Sequence, residues 1–99
     1  MSVNDLTNSV DPLPYKHVIF TDLDGLDGVL VDLNSKKYYQ LNETASFIWR
    51  GLEKQMPVDH IAAEMTQRYD VKLDHAISSI EIALRRFEAQ DLLRPRNPG

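Results

Sequence analysis

Gly28-Val-Leu-Val-Asp-Leu-Asn-Ser-Lys-Lys-Tyr-Tyr-Gln-Leu-Asn-Glu-Thr-Ala-Ser-Phe-Ile-Trp-Arg-Gly-Leu52 reads as strand, polar turn, strand and capped helix, with almost no slack between elements. Val29, Val31 and Leu33 alternate with Leu30 and Asp32, the period of a strand with one face in a core. Asn34-Ser35-Lys36 supplies turn chemistry, and Lys37-Tyr38-Tyr39-Gln40-Leu41 is a second strand by aromatic content and alternation. Asn42 is placed to cap a helix whose apolar positions Ala45, Ile48, Trp49 and Leu52 recur at helical spacing. A short, polar-flanked sheet edge is thereby joined directly to a packed helix. Such an edge can bind another chain through its backbone, and it is a poor place for catalytic side chains.

Upstream, His17 to Asp22 is a first strand, with Val18 and Phe20 on one side and Ile19 on the other. Leu23-Asp24-Gly25-Leu26-Asp27-Gly28 is the turn that follows, its glycines suiting backbone angles closed to other residues. Residues 1–15 are polar, carry Pro12 and Pro14, and predict a flexible arm. Downstream, Pro57 stands at the first turn of a second helix with Val58, Ile61, Ala62, Met65 and Tyr69 as its buried stripe. Asp74 is placed to cap a third helix, with Ala76, Ile77, Ile80, Ala83, Leu84 and Phe87 inward. Leu92 and Leu93 fold back on the core before Pro95 and Pro98, so residues 16–94 form one domain and 95–99 a disordered tail. The predicted fold is α+β: a three-stranded antiparallel meander followed by three helices, of winged helix-turn-helix type.

Composition narrows the function. A chain of 99 residues is one small domain with a modest core. A net charge of −4 argues against general nucleic-acid binding, which needs a concentrated basic surface. Without cysteine there are no disulfides, thiolate chemistry or Cys-based zinc sites. The first ten residues lack the basic start and apolar run of a signal peptide, and nothing approaches the length of a membrane span, so a cytoplasmic protein is expected.

Val18-Ile-Phe-Thr-Asp-Leu-Asp-Gly25 resembles the first motif of haloacid dehalogenase-type phosphatases, an apolar strand ending in Asp-x-Asp-Gly-Thr. There the first Asp attacks phosphorus and the second is the acid/base beside magnesium, roles that would fall on Asp22 and Asp24. Leu26 stands where that family has Thr, and the chain is too short for the doubly wound sheet and later motifs. A hairpin turn accounts for the same letters. A calcium loop starting at Asp22 also fails, with Leu26 fifth, Asp27 sixth and Leu33 twelfth. His17, His60 and His75 lack partners at metal-ligand spacing, and Ser78 and Ser79 have no nucleophile-elbow context. No catalytic constellation, cofactor site or metal site is predicted.

On a helical wheel Ile82 falls opposite the inward positions of the third helix, beside Ser78, Arg85 and Ala89, with Arg86 and Ser79 adjoining. A small apolar stripe ringed by arginines suits a groove for an extended acidic or amphipathic peptide.

These elements, in this order, resemble the PqqD-like family over roughly residues 17–94. The segments that carry the likeness are Val31-Asp32-Leu33, Tyr38-Tyr39-Gln40-Leu41-Asn42-Glu43-Thr44-Ala45 and Ile48-Trp49-Arg50-Gly51-Leu52. Asp91-Leu92 departs from the Gly-Leu pair that often ends the family's third helix, and the Asn-Glu-Thr-Ala into Ile-Trp run is closer to stand-alone lasso-peptide-type members. The resemblance implies a non-catalytic recognition element that binds the leader of a ribosomally made precursor peptide. The leader adds as an antiparallel strand to the third strand and lies against the third helix. The implied peptide-binding residues are Lys37, Tyr38, Tyr39, Gln40 and Leu41 on the strand, and Ser78, Ile82, Arg85, Arg86 and Ala89 on the helix. The implied partners are the precursor peptide and a modifying enzyme: a radical S-adenosylmethionine enzyme, a cyclodehydratase or a leader peptidase. An open sheet edge also permits a homodimer. The competing reading is a winged-helix DNA-binding regulator with the third helix in the major groove. Glu81 and Glu88 among the arginines, and Asp22, Asp24 and Asp27 in the wing-like loop, weigh against it.

Overall fold

The structure, a computed structural model, describes residues 13–94. Strands β1 (Val18–Asp22), β2 (Gly28–Asp32) and β3 (Lys37–Leu41) form one antiparallel sheet in the order β1-β2-β3. Helices α1 (Glu43–Glu53), α2 (Val58–Tyr69) and α3 (Leu73–Ala89) follow. This is the expected α+β arrangement. The first strand begins at Val18 rather than His17. The expected arm over 1–12 and tail over 95–99 lie outside the described residues. Residues 13–15 are tied to the end of the domain: Pro14 bridges Leu93, and the Tyr15 amide donates to the Leu92 carbonyl at 3.2 Å.

Alternation decides which face of the sheet is covered. Leu30 and Asp32 of β2, Val18 of β1 and Leu41 of β3 are buried, whereas Val29 and Val31 are half-buried and Leu33 is 52% exposed. The covered face of β2 is therefore the Leu30/Asp32 face, and the valines look away from the helices. A charged residue can sit there because Asp32 closes the β2–β3 turn. Its Oδ1 accepts hydrogen bonds from the Asn34 and Ser35 amides at 2.9 and 3.3 Å, and His17 Nε2 lies 3.6 Å away. Lys36 takes the left-handed conformation that completes the turn (φ 64°). Burial pushes the Asp32 carboxyl up, but hydrogen bonds from Ser35 and Asn34 and the neighbouring His17 outweigh it and hold it below the ordinary aspartate value.

Each helix start has its own chemistry. Asn42 Oδ1 accepts from the Ala45 amide at 2.9 Å, the predicted cap of α1. Pro57 occupies the N-cap of α2. The third helix starts at Leu73 with Lys72 at its N-cap, two residues before the predicted cap, which places Asp74 in the first turn. There its carboxylate accepts from the His75 amide at 2.8 Å and faces the positive end of the helix dipole.

The core runs between the inner sheet face and the helices. Trp49 is fully buried with its ring edge-on to Phe87, centroids 5.1 Å apart. Ile48, Leu52, Ile61, Ile80 and Leu84 surround them, and Leu92 and Leu93 fold back as expected. Gly51 lets α1 approach α2 closely: a Cβ there would lie 2.8 Å from two Ile61 side-chain carbons. Among the described residues, no helix is long and apolar enough to cross a membrane.

Candidate functional site

β3 is an outer strand of the sheet, and the hydrogen-bond phase shows which of its groups face outward. The Leu33 amide donates to the His17 carbonyl at 2.9 Å, and the Leu23 amide to the Asp27 carbonyl at 3.0 Å. Antiparallel ladders alternate bonded and non-bonded pairs, so Ile19–Val31 and Thr21–Val29 are the bonded pairs of β1 and β2. Val29 and Val31 thus turn their backbone groups to β1. Gly28, Leu30 and Asp32 turn theirs to β3, where they face Leu41, Tyr39 and Lys37. Among the described residues no strand pairs with the other side of β3, so the amides and carbonyls of Tyr38 and Gln40 are directed at an open edge. Their side chains project on the outer face, and Tyr38 is 74% exposed.

Beside this edge lies a groove of about 230 Å³ between β3, α1 and α3. Its apolar floor comes from Leu41, Ala45, Ile48, Ala83 and Phe87, with Ile82 at the lip, 49% exposed. Gln40, Asn42, Thr44, Ser79 and Arg86 supply the polar rim. The α3 wall follows helical spacing: Ser79, Ile82 and Ala83, then Arg86 and Phe87. Of the ten residues singled out from the sequence, Gln40, Leu41, Ile82 and Arg86 meet in this groove. Tyr38 and Tyr39 belong to the same strand, with Tyr39 half-buried on the inner face opposite Leu30, and Lys37 is exposed at its start.

Ser78, Arg85 and Ala89 do not line the groove. All three are exposed, and Ser78 faces a shallow depression with Val71, Lys72, Asp74 and His75. Ser79, Ala83 and Phe87, with Ala45 and Ile48 of α1, are groove residues outside those ten. Helical spacing puts Ala83 and Phe87 with the core, and Ser79 beside the Ile82 stripe.

The phosphatase-like aspartates serve their own loop. Asp22 Oδ1 accepts from the Gly25 amide at 2.7 Å, and its Oδ2 meets Arg50 Nη2 at 2.6 Å. Asp24 Oδ1 accepts from the Leu26 and Asp27 amides at 3.0 and 2.9 Å. The Gly25 amide and then Arg50 hold Asp22 below the ordinary carboxylate value, and the Asp27 and Leu26 amides do the same for Asp24. Gly25 takes φ +91°, as the turn requires. The Arg50 guanidinium also covers the Phe20 ring at 4.9 Å, so Asp22, Arg50 and Phe20 clamp β1 to α1. The described residues hold no cluster of three or more metal-ligating side chains. The exposed part of α3 mixes Glu81 with Arg85 and Arg86, and the wing-like loop is acidic, a poor match to a phosphate backbone.

A protein-family model, "Coenzyme PQQ synthesis protein D (PqqD)", matches residues 27–93. No curated protein matches the chain by sequence. Two solved structures share its fold. One is TbiB1 in complex with the TbiA(beta) leader peptide: TM-score 0.77, 23% identity, covering 83% of this chain and 94% of that one. The other is lasso peptide synthetase B1 complexed with the leader peptide: TM-score 0.78, 23% identity, covering 87% and 100%.

Proposed function

The chain belongs to the PqqD family, and from that premise we propose that it is a non-catalytic module that recognises the leader of a ribosomally made precursor peptide. The observation that carries this reading is the coincidence of an open β3 edge with an apolar groove along it. A peptide entering as an antiparallel strand pairs its backbone with the outward groups of Tyr38 and Gln40. Peptide residues opposite those two point to the outer face, and the alternate ones point into the groove over Leu41, Ala83 and Phe87. Backbone bonds give affinity with little regard to sequence, and the groove selects which side chains fit. Arg86 and Ser79 at the rim favour an acidic or carbonyl-rich neighbour to the apolar anchor. Lys37 to Leu41, Ile82 and Arg86 are the binding residues of this account, with Ser79, Ala83 and Phe87 completing the wall. Ser78, Arg85 and Ala89 lie outside it.

Holding a peptide without altering it is useful only if another protein acts on it. The module therefore serves a modifying enzyme or leader peptidase; the two leader-bound structures of the same fold support the peptide-holding half of that role. Calorimetric titration with synthetic leader peptides of candidate precursors tests the reading. Saturable one-to-one binding that survives added salt is expected, since apolar contacts and backbone bonds dominate. Absence of binding, or duplex DNA binding that salt abolishes, would refute it.

A further inference from the structure

β1 is the other outer strand of the sheet, and among the described residues no strand pairs with its far side. Ile19 and Thr21 turn their backbone groups to β2, so those of Val18, Phe20 and Asp22 are directed outward. The Val18 amide donates to the Tyr15 carbonyl at 3.1 Å, which closes that end of the edge. Among the described residues nothing bonds the backbone amides and carbonyls of Phe20 and Asp22. The Phe20 ring leaves them clear, because it leans over Gly28 of β2, where a Cβ would collide with it. On the outer face the strand presents Ile19, Thr21 and Leu23, the last held in the ladder by its amide bond to the Asp27 carbonyl. None of the three is charged, and Ile19 and Leu23 are 45% and 54% exposed. Asp22 is the one charge on the strand, and Arg50 already pairs with it. An edge without proline or a free charge lacks the usual protection against pairing with another strand.

We propose that β1 pairs antiparallel with β1 of a second copy about a twofold axis at Thr21, joining two sheets into one of six strands. The unused backbone groups fix this register. Phe20 faces Asp22 of the second copy and the two exchange both hydrogen bonds, and the twofold axis repeats the exchange. On the outer face Thr21 meets Thr21, and Ile19 meets Leu23 of the second copy on either side of the axis, covering the exposed apolar side chains. Past Leu23, the β1–β2 loop runs along an open pocket of about 700 Å³ beside Val18 in the neighbouring copy. Leu13, Tyr15 and Leu52 give that pocket an apolar lining, and Lys16, Arg94 and Glu53 stand in its rim. The loop brings Leu26, 50% exposed, between Asp24 and Asp27. Lys16 and Arg94 have no ion pair among the described residues, so they are available to these aspartates. Edge, loop and pocket together come to just under the roughly 20–30 residues a side of a stable complex, so the dimer is reversible and concentration-dependent. Both β3 edges stay free at the ends of the six-stranded sheet, and the inference stands apart from the peptide-binding reading.

The chain has no cysteine, so a single introduced one can form a disulfide only between copies. In this register Thr21 and its symmetry mate form a non-bonded pair, whose Cα spacing of about 4.5 Å suits a disulfide. Thr21→Cys should therefore oxidise to a covalent dimer at least tenfold faster than Tyr38→Cys, which lies on β3. Sedimentation of the full-length parent from about 5 to 500 μM should show a monomer–dimer equilibrium. Ile19→Lys and Leu23→Glu should each weaken dimerisation at least tenfold, with melting temperatures within a few degrees of the parent. The two together should restore it to within threefold of the parent. Positions 19 and 23 lie four residues apart on one strand, about 13 Å, so the restoring contact has to come from the second copy. A parent that stays monomeric throughout, or a dimer indifferent to Ile19→Lys, would overturn the proposal. Failure of the double variant to recover would overturn the register about Thr21. A dimer that Gln40→Pro dissociates, or faster crosslinking of Tyr38→Cys, would move the interface to β3 and overturn it as well.

Discussion

Leu30 and Tyr39 face each other as a bonded pair across β2 and β3, and this one phase relation directs the backbone of Gln40 outward. Proline substitution reads it directly. Gln40→Pro removes a donor that the sheet does not use, so the domain should stay folded while peptide affinity falls at least tenfold. Tyr39→Pro removes a ladder bond and should destabilise the domain by about 1–3 kcal/mol. Thermal melts and peptide titration of the two variants check this, and the opposite assignment of effects would reverse the phase.

Ile82 stands at the lip of the groove, half in solvent. Ile82→Glu should leave the melting temperature within a few degrees of the parent and weaken peptide binding at least tenfold, about 1.4 kcal/mol. Arg85→Ala, one turn-step away and outside the groove, should leave binding unchanged. Calorimetry on both variants checks the pair.

The acid response follows from Asp32. Its carboxyl is held below the ordinary aspartate value when folded, so the charged form favours the folded state. That contribution is fully present above the ordinary value of 3.8 and is lost as pH falls through the lower, folded-state value. Asp32→Asn should be less stable at pH 7 and should lose less stability than the parent between pH 5 and pH 3. Urea melts across that range measure the difference.

Gly51 sets two opposing effects against each other. Alanine in a helix interior gains about 0.5–1 kcal/mol over glycine. Forcing a methyl within 2.8 Å of the buried Ile61 side chain costs about 1–3 kcal/mol. The clash should win, so Gly51→Ala should lower the melting temperature. Gly51→Ala combined with Ile61→Val should recover part of the loss.

The elements themselves were legible because local signals agreed. Asn42 before a helical apolar stripe, and the turn residues of Asn34 to Lys36, each have one reading that fits their neighbours. The inner face of β2 was not, because Asp32 looks like a solvent residue until its turn amides are in place. The groove wall was half legible for a related reason. A helical wheel divides core from solvent, but this groove follows the boundary between them. Ala83 and Phe87 therefore resembled core, while Ser78, Arg85 and Ala89, one step around α3, resembled the open wall, with Ser79 at its margin. Only the position of β3 against α3 separates those two stripes.

Amide hydrogen exchange of the labelled domain, with and without the leader peptide, tests strand addition most directly. The account predicts that the Tyr38 and Gln40 amides, directed at the open edge in the free protein, become strongly protected when peptide saturates the domain. The amides of Lys37 and Tyr39, already facing β2, should change far less. Peptide binding that leaves Tyr38 and Gln40 exchanging as fast as before would contradict the account, because the peptide would then be held without joining the sheet.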